Sequence, residues 1–478
     1  MRVMLRSLNE RTPLPRRAFL GAGVRLACCA AGAGRLAAAG THQTQAIAPG
    51  GAVADNSGIA FLDSLARATI DAARVAPGAS RDRQGPNTTG ISLITPGGRY
   101  PALWVRDFAM SLDCGLIPAA DILAHLRLIL RCQHEPQERR LASGGIVPAF
   151  AIPDHITLSG GAVFFPGTYS SGEDQGAPPW GPLPPIDDHF FIVHIAHALW
   201  RATGDTAFLA EEVGGRSVLE RLRLAFASPA SDPVTGASIT EPGRRAVGFG
   251  FHDTVRLEGA LAFATLLRHR AAQQLEQLCR AAGRDVVARE YANTAQTIAA
   301  SIVPVFGDPR RQDGWLRAAT RVGRQPDVWA TLFALHLGVL PAQEARRARR
   351  TIAAAVRAPG HTIEYEGAVR HVPSDRFFRP DQCWEAGGSR VHTYQSGAFW
   401  HTPTGWLLEA IHEEDRALAR QVWARAVAHL RRHDFRQGPG HGAPWECFGR
   451  DMADAQNPVY MTSVTLPLAI VRRLTIAP

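Results

Sequence analysis

The sequence predicts a nearly all-α chain in which helical hairpins close into a ring. Three observations lead there. Apolar residues recur at threes and fours over several long segments, the mark of one-sided helices. These segments come in pairs joined by very short turns. Between the pairs lie long stretches rich in glycine, proline and aromatics, at 80–103, 136–186, 229–251, 307–326, 358–394 and 433–448. Period-two alternation is limited to pieces such as Ala162-Val163-Phe164-Phe165 and Thr362-Ile363-Glu364-Tyr365.

Six hairpins can be read in order. The first joins 57–75 to 104–132, and the second pairs 187–202 with 206–227 through Thr203-Gly204-Asp205. The third begins with 253–282, where Val255, Leu257, Leu261, Leu266, Leu275 and Leu278 stand among polar neighbours until Gly283. Asp285 then caps 285–304, with Val286, Tyr291, Ala295, Ile298 and Ile302 in helical register. The fourth pairs 327–338 with 342–357 across Leu340-Pro341, the fifth 395–412 with 415–432, and the sixth 449–455 with 460–475. Connections inside hairpins are short and those between them long, so a closed ring would gather the long loops on one face. Loops of that length are uncommon unless functional, which puts the expected site there.

Residues 1–39 differ from the rest. They hold seven arginines, one acid and an Ala/Gly/Leu-rich run from Ala18 to Gly34. That run is shorter than the ~20 apolar residues a bilayer needs and is interrupted by Arg25, so it reads as an export signal. Arg16-Arg17-Ala18-Phe19-Leu20 resembles the twin-arginine signal, with Pro15 and Gly21 in place of the usual hydroxyl and lysine. Cleavage is expected near Ala37-Ala38-Ala39, leaving 40–478 as a single soluble domain, periplasmic or secreted, with no stable membrane insertion.

Seven arginines against one glutamate take a formal +6 out of the net +9, leaving about +3 for the mature chain. Nucleic-acid binding thereby loses its main support. All 52 basic residues are arginine, which excludes a lysine Schiff base, a P-loop lysine and a pyridoxal-phosphate linkage in this chain. Cys114, Cys132, Cys279, Cys383 and Cys447 survive maturation without a Cys-x-x-Cys pair and are expected mostly as buried thiols. His194-x-x-His197 supplies too few ligands for a metal. No dinucleotide fingerprint, Gly-x-Ser-x-Gly elbow or zinc cluster is found, so cofactor-free, metal-free chemistry is expected.

The chemistry-bearing residues fall in the loops. Arg99 to Asp107 combine aromatics with an Arg-Asp pair at a helix start; Tyr394-Gln395-Ser396-Gly397-Ala398-Phe399-Trp400 and Pro444-Trp445-Glu446 follow far downstream. Aromatic faces match the C–H faces of pyranose rings, and planar guanidinium and carboxylate groups suit adjacent hydroxyls. Trp104, Trp180, Trp384, Trp400 and Trp445 lie in or beside the loops, whereas Trp200 and Trp423 sit in helical stripes. The pattern points to a saccharide ligand.

These residues resemble the six-hairpin glycosidases, whose (α/α)6 toroid is shared by glucoamylase-like, trehalase-like and rhamnosidase-like enzymes. Trp104-x-Arg106-Asp107 is similar to the family's Trp-x-Arg-Asp, which implies that Arg106 and Asp107 bind the sugar in the −1 subsite. Asp187-Asp188 resembles the start of its second hairpin, Tyr394 to Trp400 and Thr402 to Trp406 a later loop and inner helix, and Trp445-Glu446 the C-terminal Trp-Glu that holds the catalytic base. Inverting hydrolysis needs one carboxylic acid and one carboxylate about 6.5–9.5 Å apart. The resemblance implies a mid-chain acid and a late base, expected here as Asp253 and Glu446. Substitutes for the acid are Asp188, Glu173, Asp187 and Glu258; an N-cap is the competing role for Asp253. Trp104, Arg106, Asp107, Asp188, Tyr394, Gln395, Trp400 and Trp445 are expected substrate contacts. Asp154-His155 and His252-Asp253 are candidate acid–base pairs.

The resulting expectation is an exported, exo-acting, inverting glycoside hydrolase acting on an oligosaccharide or polysaccharide. Two alternatives stand beside it. A toroid polysaccharide lyase would use Tyr394 with His252, His392 or His401 to abstract a proton from a uronic acid. A glycan-binding protein without catalysis would keep the aromatics and Arg106-Asp107 but not need Glu446.

Overall fold

The computed structural model describes residues 53–82, 85–176, 180–360, 363–378 and 390–476. The expected export signal, Cys383 and Trp384 lie outside them. In chain order the helices of the described residues are α1 (Asn56–Ala73), α2 (Val105–Met110), α3 (Ala119–Arg131), α4 (Asp188–Thr203), α5 (Val218–Ala227), α6 (Ala262–Ala281), α7 (Asp285–Phe306), α8 (Val328–His336), α9 (Ala342–Arg357), α10 (Thr404–His412), α11 (Arg416–Arg432) and α12 (Thr462–Ile476). The even-numbered helices touch one another in turn, and α12 returns to α2, so they close an inner ring. The odd-numbered helices pack outside. The fold is an (α/α)6 toroid.

Burial follows from this layering. In α8 every residue from Val328 to Ala334 is buried, whereas α9 buries only Ala345, Ala348, Ile352, Ala353 and Val356 along one stripe. A helix apolar all round belongs inside and an amphipathic one at the surface. Each long loop delivers the chain to the N-terminus of an inner helix, which places all six at one face.

Several boundaries differ from the sequence reading. The segment 104–132 is not one helix: Gly115 adopts φ 69° and Pro118 restarts the chain as α3. It divides into inner α2 and outer α3, and α1 packs instead on α12. No α-helix forms at 449–455, where a 3-10 turn, Arg450–Met452, contains Asp451 at φ 55°. Gly214 and Gly215, at φ 57° and 75°, turn the chain between short strands Glu212–Val213 and Arg216–Ser217, which delays α5 until its cap Ser217. Gly397, at φ 121°, and Pro403 likewise postpone α10 to Thr404. Asp285 is the first residue of α7 rather than its cap.

The largest shift concerns α6, which starts at Ala262 rather than at 253. The chain before it is extended. Gly259–Ala260 pair with Ile239–Thr240, and Glu258 bridges Val322. Asp253 therefore caps no α-helix.

Short strands staple the loops. Ala102–Trp104 pair with His155–Thr157, which pair with Ala162–Val163, setting Trp104 opposite His155. Trp445–Cys447 pair with Gln456–Pro458. A single large apolar core, including Trp329, Phe249, Phe251 and Phe333, lies beneath.

Candidate active site

The strand Ala102–Trp104 runs straight into α2, so Arg106 and Asp107 occupy the first turn of an inner helix, 6% and 1% exposed. Arg106 is ringed by carboxylates: Nη1 stands 3.4 Å from Asp187 Oδ2 and 3.5 Å from Asp154 Oδ1, and Nη2 stands 3.7 Å from Asp107 Oδ2. Burial works against its charge, but Asp187, Asp107 and Asp154 hold the guanidinium ionised. A side chain at position 250 would collide with it, since a Cβ there would lie 1.7 Å from Arg106 Nη1. Glycine is required at that contact.

Carboxylates outnumber cations in this ring. Burial pushes the Asp187 carboxyl up to about 6 against Arg106 and the bond from Gly250 N–H. Asp188 is raised further, by burial and by the charges of Asp187 and Asp154. Burial opposes ionisation of Asp154 as well, yet His155, whose Nδ1 is 2.7 Å from Asp154 Oδ2, keeps it low. Asp107 is raised by burial and accepts a hydrogen bond from the Tyr460 hydroxyl.

Asp253 ends a 3-10 turn, Gly250–His252, whose first N–H donates to Asp187 Oδ2 at 2.8 Å. The side chain is half-buried, and desolvation pushes its carboxyl up to about 7 against the pull of Arg106 and Gln395. Its Oδ1 has no hydrogen-bond partner among the described residues. An environment of that kind favours the protonated form at neutral pH. The neighbouring His252 is not its partner: Nε2 lies 3.0 Å from His371 Nδ1, and Nδ1 lies 4.0 Å from Asp327 Oδ2.

Glu446 projects from the strand Trp445–Cys447 and is 2% exposed. Its Oε2 accepts hydrogen bonds from the Tyr100 hydroxyl at 2.7 Å and from Asn457 Nδ2, which also donates to Tyr100 at 3.1 Å. Burial pushes Glu446 up to about 7; these two donors pull it down, and the charges of Asp107 and Asp253 push it up again. Tyr394 is raised well above the usual tyrosine range by burial and then by Glu446 and Asp253. The two carboxyls thus act on each other and on one tyrosine ring, from distant parts of the chain.

Around them, Trp104 stacks on His155 at 4.4 Å and meets Tyr100 edge-on at 4.8 Å. Tyr169, 44% exposed, stands edge-on to Trp104 at 5.8 Å and forms an open aromatic rim. Tyr394, half-buried at φ 41°, and half-buried Trp445 lie on the same loop face. Trp180 is also half-buried and packs over Gly167.

Five expected residues are placed otherwise. Trp400 is fully buried among Phe251, Trp329 and Tyr394, so it supports the site from below and offers no face to a sugar. Gln395 is fully buried, with its amide bonded to Gly250 and Thr254. Glu173 is exposed and ion-paired with Arg139, and Glu258 is paired with Arg256 at 2.7 Å and Arg321 at 3.7 Å, so neither is poised as an acid. Asp188 is fully buried and both its oxygens are shielded from solvent without a hydrogen-bond partner among the described residues, which makes it part of the floor rather than a hydroxyl contact.

His194 bonds Gln274 at 2.8 Å and lies 3.3 Å from Asp113, and His197 bonds Gln277 at 3.0 Å, so both serve helix packing. His401 faces His429 at 3.0 Å. Cys114, Cys132, Cys279 and Cys447 are free thiols. Sequence reasoning missed Tyr100, Asn457 and Tyr460. Tyr100 lies inside the stretch 99–107 that drew attention first. Asn457 and Val459, at φ 44° and 60°, stand in the left-handed region that residues other than glycine adopt rarely.

No protein-family model matches the chain, and no curated protein does. Solved structures do match. The GH63 mannosylglycerate hydrolase from Thermus thermophilus, in complex with glucose, is similar over 85% of this chain and 99% of its own, at 15% identity and a TM-score of 0.52. The glucoamylase from Saccharomycopsis fibuligera is similar over 88% of this chain and 96% of its own, at 10% identity and a TM-score of 0.53. The GH78 rhamnosidase of Bacillus sp. GL1 matches 86% of this chain at 11% identity and a TM-score of 0.50, but this chain spans only 34% of it. The likeness is one of fold: this chain has the toroid of the six-hairpin glycosidases.

Proposed function

We propose that the protein is an exported glycoside hydrolase that removes terminal sugars from an oligosaccharide or polysaccharide with inversion, using Asp253 as general acid and Glu446 as general base. The observation that carries this reading is the pairing of two carboxyls from distant parts of the chain, both pushed to about 7 by burial, with the charge of Asp253 acting on Glu446 and each carboxyl bonded by its own partners, Gln395 for the first and Tyr100 with Asn457 for the second. Two donors converge on Glu446 Oε2 and favour its ionised form, ready to activate water. Burial keeps the proton on Asp253 near neutral pH, and its side chain is only half-buried, so the proton can pass to the leaving oxygen. Arg106 and Asp107, almost wholly buried, together with the aromatic rings of Trp104 and Tyr169, suit recognition of one terminal sugar.

The surroundings favour hydrolysis over uronate elimination. A lyase must neutralise the substrate carboxylate, and Arg106 already faces Asp107, Asp154 and Asp187. Its base would be an easily ionised tyrosine, whereas burial and the nearby carboxylates oppose ionisation of Tyr394. Of the histidines, His252 is pushed down to about 3 by burial and turned toward His371.

The test is turnover and glycan binding by Asp253→Asn and Glu446→Gln. Each should lose roughly 10²–10⁴-fold in kcat with binding kept. Unchanged turnover in either variant, or a product absorbing near 235 nm, would overturn the reading.

A further inference from the structure

The acid is carried on a turn that one distant side chain clamps. Gln395 lies in the 3-10 turn Tyr394–Ser396, is 0% exposed, and is forced inward by a backbone with Tyr394 at φ 41° and Gly397 at φ 121°. Its Oε1 accepts from the N–H and the hydroxyl of Thr254, both at 2.8 Å, and its Nε2 donates to the carbonyl of Gly250 at 3.1 Å. One amide thus bonds the residue after Asp253 and the first residue of the turn before it. Gly250 N–H to Asp187 and His252 to His371 fix the start and the floor of this turn, and Gln395 holds its Asp253–Thr254 side.

We propose that Gln395 is the positioning residue of the general acid: it sets the direction of the Asp253 carboxyl by bracketing its backbone. The inference rests on Asp253 being the acid. Gln395 touches no substrate; it acts through Asp253. The same turn carries Tyr394, whose ring faces both carboxyls, so a sugar seated against Tyr394 and the acid that protonates its leaving oxygen share one strut. A small tilt of that strut moves the proton donor off the scissile oxygen, and misplacements on the order of 1 Å cost roughly 100-fold in rate.

The experiment compares Gln395→Met, Thr254→Val and Thr254→Ser with Asp253→Asn on a glycoside that the wild type cleaves. Gln395→Met should lower kcat by about 10–100-fold with KM within about twofold. It should also move the basic limb of the kcat profile to higher pH, because the Gln395 amide, besides bracketing the backbone, bonds the Asp253 carboxyl and pulls it toward its ionised form. Thr254→Val, which deletes one of the bonds, should lower kcat by roughly 2–10-fold, and Thr254→Ser, which keeps the hydroxyl, should restore the wild-type value. If Asp253→Asn is inactive but Gln395→Met keeps the wild-type kcat and pH limb, or loses only thermal stability, the clamp is overturned and the acid assignment stands. If Asp253→Asn turns over normally, both fall. Should Gln395→Met fail to fold, the Thr254 pair decides alone: equal kcat and equal limbs for valine and serine overturn the proposal.

Discussion

The turn ending at Asp253 and the strand carrying Glu446 bring their carboxyls to similar proton affinity through the same burial, but hold them in different frames. At Asp253 the side chain is half-buried, its Oδ1 is shielded and has no hydrogen-bond partner among the described residues, and the Gln395 amide bonds the backbone on either side as well as pulling on the carboxyl. At Glu446 the backbone is an ordinary two-strand ladder, and precision comes from Tyr100 and Asn457 on the carboxylate itself. Similar proton affinities therefore sit in different frames: one carboxyl is held chiefly through the backbone around it, the other by two donors on a single oxygen.

The sharpest way to break this contrast uses a substrate whose leaving group needs no proton. With a glycosyl fluoride, Asp253→Asn should recover to within about tenfold of wild type, while Glu446→Gln should remain down by roughly 10³-fold. Equal losses on fluoride and natural glycoside for both variants would erase the distinction.

Next in size is Arg106→Leu, which strips the counter-charge from buried Asp107, Asp154 and Asp187. Breaking such an ion cluster from one side costs about 3–5 kcal/mol. Urea unfolding should show the loss at pH 8 and a smaller one at pH 5, where the raised Asp187 is protonated. A pH-independent loss would mean that the guanidinium matters for packing alone.

Tyr100→Phe tests the base side by itself. Losing one donor to ionised Glu446 should raise the acidic limb of kcat/KM by about half to one pH unit and leave the basic limb in place. Movement of the basic limb instead would exchange the two roles.

The smallest effect is on stability against pH. Asp253, Asp327 and Glu446 are pushed to about 7 in the fold, above their ordinary 3.8 and 4.5. As pH falls from 8 to 6.5 the folded state takes up protons that the unfolded chain does not, so stability rises. Below that, seven histidines pushed down to between about 2 and 4 chiefly by burial, His125, His189, His197, His252, His269, His401 and His429, outnumber these acids and make the unfolded chain the better proton acceptor, so stability falls again. The melting temperature should peak near pH 6 and lie a few degrees lower at pH 8; a monotonic rise to pH 8 would refute the buried-acid assignment.

The ring of helices was legible because apolar periodicity and turn residues are local signals. So was the loop face, since it follows from which connections are long. Where the reading slipped, a local signal was overruled by pairing at a distance. The stretch from 253 to 261 has helical spacing, but Glu258 and Gly259–Ala260 are drawn into bridges with Val322 and with Ile239–Thr240. Ring closure by α12 on α2 and the packing of α1 on α12 join segments about 350 to 400 positions apart, which no window on the sequence contains. Arg106, Asp107, Asp253 and Glu446 stood out as candidates by their company of tryptophan, glycine and proline. The partners that tune them could not be given those roles. Tyr100 reaches Glu446 across 346 positions and Gln395 reaches Thr254 across 141, while Asn457 completes the first of these contacts from 357 positions beyond Tyr100.

Proton NMR of the first sugar released by the wild-type enzyme tests the central claim most directly. Water activated by Glu446 on the face opposite Asp253 must yield the inverted anomer before mutarotation sets in. A retained anomer as the first product would contradict the account, since it requires a carboxylate that attacks the sugar itself.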